Sequence, residues 1–137
     1  MKWAREILKS AGLRQTEARV AVLTILFSSR TPQTAFELHR LVSEQMKVDR
    51  VSIYRILTAF RRAGLIHHVA DKGFVICSHP GQEEDAHLYL ICEDCDSVEE
   101  IGWPNGLRES IRRQVLMPAH FNGAGPVQIT GLCARCR

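Results

Sequence analysis

Four of the five cysteines fall into two C-x-x-C pairs, Cys92 with Cys95 and Cys133 with Cys136. These pairs constrain the fold more than any other feature. They are separated by 37 residues, 96–132, so they can meet only if the chain folds back on itself. Four thiolates match tetrahedral zinc with no open position, which makes the predicted site structural rather than catalytic. That assignment assumes reduced thiols, as in the cytoplasm, where paired cysteines read as metal ligands before disulfides. The start of the chain fits that compartment. Arg5, Glu6 and Lys9 interrupt it, so it does not read as a signal peptide, and the longest apolar runs are too short to cross a bilayer.

A length of 137 residues suits one compact domain or two very small ones. The net charge of +3 hides an asymmetry. Residues 1–70 hold 12 Lys or Arg against 5 Asp or Glu, a balance of +7, whereas residues 71–137 hold 6 against 10, a balance of −4. A basic half joined to an acidic half suggests that the first meets a polyanion.

The first half punctuates as helices. The segment 3–12 has helical apolar spacing and stops at Gly12; the next, 16–29, has Thr16 as its N-cap; Thr31-Pro32 breaks it. Thr34 and Glu37 have capping-box spacing ahead of a helix burying Leu38, Leu41 and Val42. A fourth helix, about 50–63, ends at Gly64. Beyond it, 65–70 and 74–77 flank Asp71-Lys72-Gly73, a loop with hairpin chemistry. Helices followed by a small hairpin outline a winged helix-turn-helix. The second half reads as strands at 88–92 and 97–101, a helix near 105–116 striped by Leu107, Ile111 and Val115, and a strand at 127–132. The fold class is therefore α+β. A second half this small has a thin core and usually needs a staple or a partner chain; zinc on the four cysteines would supply the staple.

In the fourth helix Ile53, Ile56, Leu57 and Phe60 form the buried face. Arg55, Thr58, Ala59 and Arg62 point the other way, with Tyr54 and Arg61 on one flank. Arginine forks suit guanine edges, and an aromatic ring can touch a thymine methyl, so this is the predicted DNA-reading helix. Arg14 and Arg19 are candidate phosphate contacts, and His39 is left at the surface or the edge of the core.

Cys77 has no C-x-x-C partner. Pairing of the two wing strands brings His67 or His68 near it. His79, His87, Glu100 and His120 are the remaining candidates for a second metal site.

In order along the chain, the motifs resemble those of the Fur family of metal-responsive repressors. The stretch GLRQTEARVAVLTIL resembles the family's opening, VSIYRILTAFRRAGLIHHV its recognition helix, YLICEDCDSVEEI its first knuckle, and ITGLCARC its closing knuckle. The resemblance covers about residues 10–137. It implies an N-terminal winged helix-turn-helix DNA-binding domain (1–78), a hinge (79–87) and a small C-terminal α/β dimerisation and metal-binding domain (88–137). It implies a homodimer that binds an AT-rich inverted repeat in double-stranded DNA. Tyr54 and Arg55 fall on the family's base-contacting positions, and Ser52 and Thr58 lie beside them on the same helix. Two zinc ions per chain are expected, one structural and one regulatory, with the regulatory one at the hinge.

Within the family, the sequence is most similar to the zinc-uptake regulators, the Zur branch. That likeness implies His67, Cys77 and Glu100 as regulatory ligands, with His87 or His79 completing the shell. A soft thiolate among nitrogen ligands favours zinc over iron. The expected function is repression of zinc-uptake genes, with an iron- or manganese-responsive regulator as the alternative. The His-rich run of many relatives is missing, which implies that their accessory metal site is absent. Asp96 replaces the family's usual glycine after the first knuckle, and Ser52-Ile53 replaces Thr-Val. No membrane partner or small-molecule substrate is expected. Nor is an enzyme, since neither a nucleophile motif nor the H-x-E with P-C-x-x-C of zinc deaminases is present.

Overall fold

The computed structural model describes residues 1–69, 71–80, 87–102, 106–115, 118, 120 and 126–137. The chain divides into two compact units, Met1–Gly81 and Gln82–Arg137.

The first unit contains α1 (Lys2–Ser10), α2 (Glu17–Ser28), α3 (Ala35–Ser43), α4 (Arg50–Arg62), β1 (Ile66–Val69) and β2 (Gly73–Ile76). α2 is its centre, burying Val20, Ala21, Val22, Leu23 and Leu26. Around it pack Ala4 and Leu8 of α1, Leu38 and Val42 of α3, and Ile53, Ile56, Leu57 and Phe60 of α4. Leu41, expected in this core, is only half-buried.

Local chemistry sets the helix ends. Thr16 Oγ1 accepts from the Arg19 N–H at the start of α2. At α3 the capping box forms in both directions: the Glu37 N–H donates to Thr34 Oγ1, and the Thr34 N–H donates to the Glu37 carboxylate. α1 and α4 both close with glycine in the left-handed region. Gly64 has φ +68°, its N–H donates to the Arg61 carbonyl, and the Leu65 N–H reaches back to Phe60.

β1 and β2 pair antiparallel as the wing, with Ile66 opposite Ile76 and His67 opposite Val75. Gly73 is required twice over at its turn. Its φ of +126° disfavours any side chain, and a Cβ there would lie 2.6 Å from both the carbonyl carbon and oxygen of Gln33. That close approach lets Gln33 and Phe74 exchange two backbone hydrogen bonds, of 2.9 and 2.8 Å, which tie the wing to the start of α3. Ala70, part of the expected wing strand, lies outside the described residues.

The second unit contains β3 (His87–Cys92), β4 (Val98–Gly102), α5 (Leu107–Val115) and β5 (Val127–Gly131). The sheet order is β4-β3-β5, antiparallel on one side of β3 and parallel on the other. β3 alternates as a strand between two environments should. His87, Tyr89 and Ile91 are buried, whereas Leu88 and Leu90 are half-buried. On that second face Leu88 stands opposite Ile101 and Val127, and Leu90 opposite Ile129. Residues 105 and 116 of the expected helix, the side chain of Val115 and hinge residues 81–86 lie outside the described residues.

Candidate functional site

The second unit brings all four paired cysteines together. Cys92 ends β3 and pairs in register with Gly131 of β5, so the parallel ladder delivers the closing knuckle beside the first. A tight turn joins Cys92 to Ser97: the Cys92 N–H donates to the Ser97 carbonyl and the Asp96 N–H to the Cys92 carbonyl, both at 3.0 Å. Asp96 closes that turn with φ +57°, the left-handed conformation that suits the glycine it replaces. Aspartate is among the few other residues that tolerate it.

The four sulfurs lie within 4.8 Å of one another, and Cys95 Sγ is 3.8 Å from Cys133 Sγ. A tetrahedron with metal–sulfur bonds of about 2.3 Å has edges of about 3.8 Å, so the cluster has the size of a closed thiolate metal centre. All four are free thiols. The environment favours thiolate at two of them. The Cys95 N–H, and after it the Cys133 N–H, bring the Cys92 thiol down to about 6. The Arg135 N–H leads in lowering Cys133. Cys136 is pushed up, chiefly by its hydrogen bond to Cys133.

The fifth cysteine lies in the first unit. Cys77 follows β2, is buried, and its N–H donates to the Leu65 carbonyl at 2.8 Å. His67 is also buried and faces Val75 across the hairpin. Because strands alternate, Cys77, two residues beyond Val75, shares the face of His67 as its diagonal neighbour. Their ligating atoms are within 4.8 Å. His68 points the other way, is exposed, and meets Phe74 edge-on at 4.9 Å. The wing thus places His67, rather than His68, beside Cys77.

A second pair forms in the second unit. Glu100 lies diagonally from His87 across β3 and β4, and Glu100 Oε1 takes a hydrogen bond from His87 Nδ1. Both side chains are buried, at 2% and 4% exposure. The alternate, His79, is exposed, as is His120.

On α4 the expected faces appear. Ile53, Ile56, Leu57 and Phe60 are buried, while Tyr54, Arg55, Thr58, Arg61 and Arg62 are exposed and Ala59 is half-buried. Two of the hydroxyls on this helix also have local work. Ser52 Oγ donates to Asp49 Oδ2, and Thr58 Oγ1 donates to the Tyr54 carbonyl. Arg14 is exposed; Arg19 is half-buried and donates to the Arg14 carbonyl at 3.2 Å. His39 sits at the core edge, 3.1 Å from the Val48 carbonyl.

Three further residues at these sites carry weaker sequence signals. Asp49 is the N-cap of α4 and takes the Ser52 N–H at 2.7 Å; its position immediately before the helix was the available signal. Arg50 holds its guanidinium 5.9 Å from the centroid of the Phe36 ring, which is exposed. Tyr89 reaches Glu100 with its hydroxyl at 3.3 Å, a pairing that follows from counting outward from the Cys92–Ser97 turn.

A winged helix with a basic reading face, followed by a small α/β unit clamped by four thiols, defines a metal-binding regulator. The ferric uptake regulator family model matches residues 10–116, and the chain belongs to that family. It is a family of metal-responsive transcription regulators, not enzymes. The ferric uptake regulation protein of Legionella pneumophila is 32% identical over 133 residues, covering 95% of this chain and 96% of that protein. The crystal structure of holo XcZur is 27% identical with a TM-score of 0.78, covering 98% of this chain and 94% of that one. A zinc uptake regulator complexed with zinc and DNA shares the fold at 23% identity, with a TM-score of 0.76 over 98% of this chain and 90% of that one. Among the described residues no helix is long and apolar enough to cross a membrane.

Proposed function

We propose that the chain is a zinc-responsive transcriptional repressor of zinc-uptake genes, acting in the cytoplasm as a homodimer on an AT-rich inverted repeat. Residues 1–78 bind DNA, 79–87 form a hinge, and 88–137 dimerise and bind metal. Cys92, Cys95, Cys133 and Cys136 hold a structural zinc; His67, Cys77, His87 and Glu100 hold a regulatory one. The observation that carries the reading is the buried Cys77 on the same wing face as His67. A thiolate beside imidazole is a soft donor set, suited to zinc. The likeness to holo XcZur supports the same choice.

Tyr54 and Arg55 read base edges from the exposed face of α4, with Ser52 and Thr58 beside them. Arg14 and Arg19 neutralise phosphates, and Asp49 fixes the start of the helix. The half-buried Leu88 and Leu90, with Ile101 and Ile129 at 37% and 51% exposure, give the sheet an apolar face for a second copy of the chain. An ion held by His67, Cys77, His87 and Glu100 would supply a cross-link that restricts rotation of the reading heads. The two α4 helices of the dimer then match successive half-sites.

Titrating DNA binding with zinc, ferrous iron and manganese tests this reading. Zinc should act at the lowest free concentration. The second reading, an iron- or manganese-responsive regulator, is favoured by the 32% identity to the Legionella protein named for ferric uptake. A response to iron or manganese without one to zinc would install it.

A further inference from the structure

We infer that Tyr89 is a positioning residue of the regulatory site, acting through the Glu100 carboxylate. The inference rests on the proposed role of His87 and Glu100 in that site. Tyr89 stands directly opposite Glu100 in the β3–β4 ladder, and His87 lies two residues before Tyr89 on β3. Strand alternation puts all three side chains on one face of the sheet. They are among the most enclosed polar groups of this unit, with Tyr89 1% exposed and His87 and Glu100 at 2% and 4%.

A carboxylate buried this deeply is tolerated only when its oxygens are hydrogen-bonded. Each Glu100 oxygen has its own donor. The Tyr89 hydroxyl donates to Oε2 at 3.3 Å, and His87 Nδ1 donates to Oε1. The Tyr89 ring is anchored on the central strand of a three-stranded sheet, so its hydroxyl is a fixed point rather than a swinging one. Holding Oε2 sets the rotation of the carboxylate and leaves Oε1 beside the His87 ring nitrogen, where the two would share an ion. Tyr89 therefore fixes the rotamer with which Glu100 serves as a ligand.

Tyr89→Phe tests this, because it keeps the ring and its packing and removes only the hydroxyl. The full-length protein should retain both metals per chain. Its regulatory-site affinity, read by chelator competition, should fall about tenfold, the lower end of what loss of a supporting partner costs. The visible spectrum of the cobalt-substituted regulatory site should also shift, a change that lost packing alone would not produce. Unchanged affinity and spectrum would leave Tyr89 as a packing residue and overturn the inference. Cys77→Ser, measured in parallel, separates the two levels. If it loses the regulatory metal while Tyr89→Phe leaves affinity and spectrum unchanged, only the inference fails. If Cys77→Ser retains the full metal count, the site assignment fails and takes the inference with it.

Discussion

Replacing Gly73 by alanine should unfold the wing from α3, and Gly64→Ala provides the control. Both glycines have positive φ, +126° and +68°. At Gly64 an added Cβ meets nothing within 4 Å, so the cost is backbone strain alone, about 1 kcal/mol after the stiffer unfolded chain is allowed for. At Gly73 the same Cβ would stand 2.6 Å from the Gln33 carbonyl carbon and oxygen and 2.9 Å from the Thr34 nitrogen. These are backbone atoms that cannot swing aside, so the strands must part. The two Gln33–Phe74 hydrogen bonds are then lost, at about 1 kcal/mol each. With strain of about 1–2 kcal/mol, the total is about 3–4 kcal/mol. Urea unfolding of the metal-loaded protein, followed by helix circular dichroism, reads the difference, because the helices lie mainly in the first unit. At about 1.5 kcal/mol per molar urea, the midpoint should fall by about 2–2.7 M for Gly73→Ala and by about 0.7 M for Gly64→Ala. Equal shifts would mean that the close approach of the wing to Gln33 contributes nothing, and would refute the reasoning.

Asp49 gives a pH-dependent test. Its carboxyl is held below the usual value, first by the Ser52 N–H, so the folded value lies under the unfolded one. Its capping contribution is therefore present above the unfolded value of about 3.9 and is lost as the pH falls through the folded value. The stability difference between wild type and Asp49→Ala should be clear at pH 7 and close in strong acid; a gap that persists there would assign the cap to something other than the carboxylate. Cys95→Ser should remove one zinc per chain by elemental analysis and dissociate the dimer on size exclusion. An unchanged zinc count would exclude the four-cysteine site. Arg55→Ala should lose discrimination between operator and random DNA while retaining salt-dependent non-specific binding. Retained discrimination would move base reading to another element.

Features set by local chemistry were legible in the sequence. The Thr34–Glu37 capping box, the Gly64 stop and the buried stripe of α4 each depend on residues within a turn or two, and each appears. The four-cysteine cluster was legible for a different reason, since only a fold-back brings such pairs together. What sequence spacing left open was register. Whether His67 or His68 joins Cys77 depends on which residues face each other across the wing, and a slip by one would exchange them. The Ile66–Ile76 pairing puts His67 on the Cys77 face. Tyr89 beside Glu100 is likewise a product of register, hidden until the Cys92–Ser97 turn fixes the count. The second function of Gly73 was not visible either, because the atoms it makes room for belong to Gln33, forty residues away.

The most direct test of the account is Cys77→Ser, read for metal content and zinc-dependent DNA binding on the same preparation. The account predicts a folded dimer that keeps the four-cysteine zinc, loses the second metal and no longer gains operator affinity when zinc is added. A variant that still tightens on the operator with zinc as the unsubstituted protein does would contradict the assignment of Cys77 as the sensing thiolate.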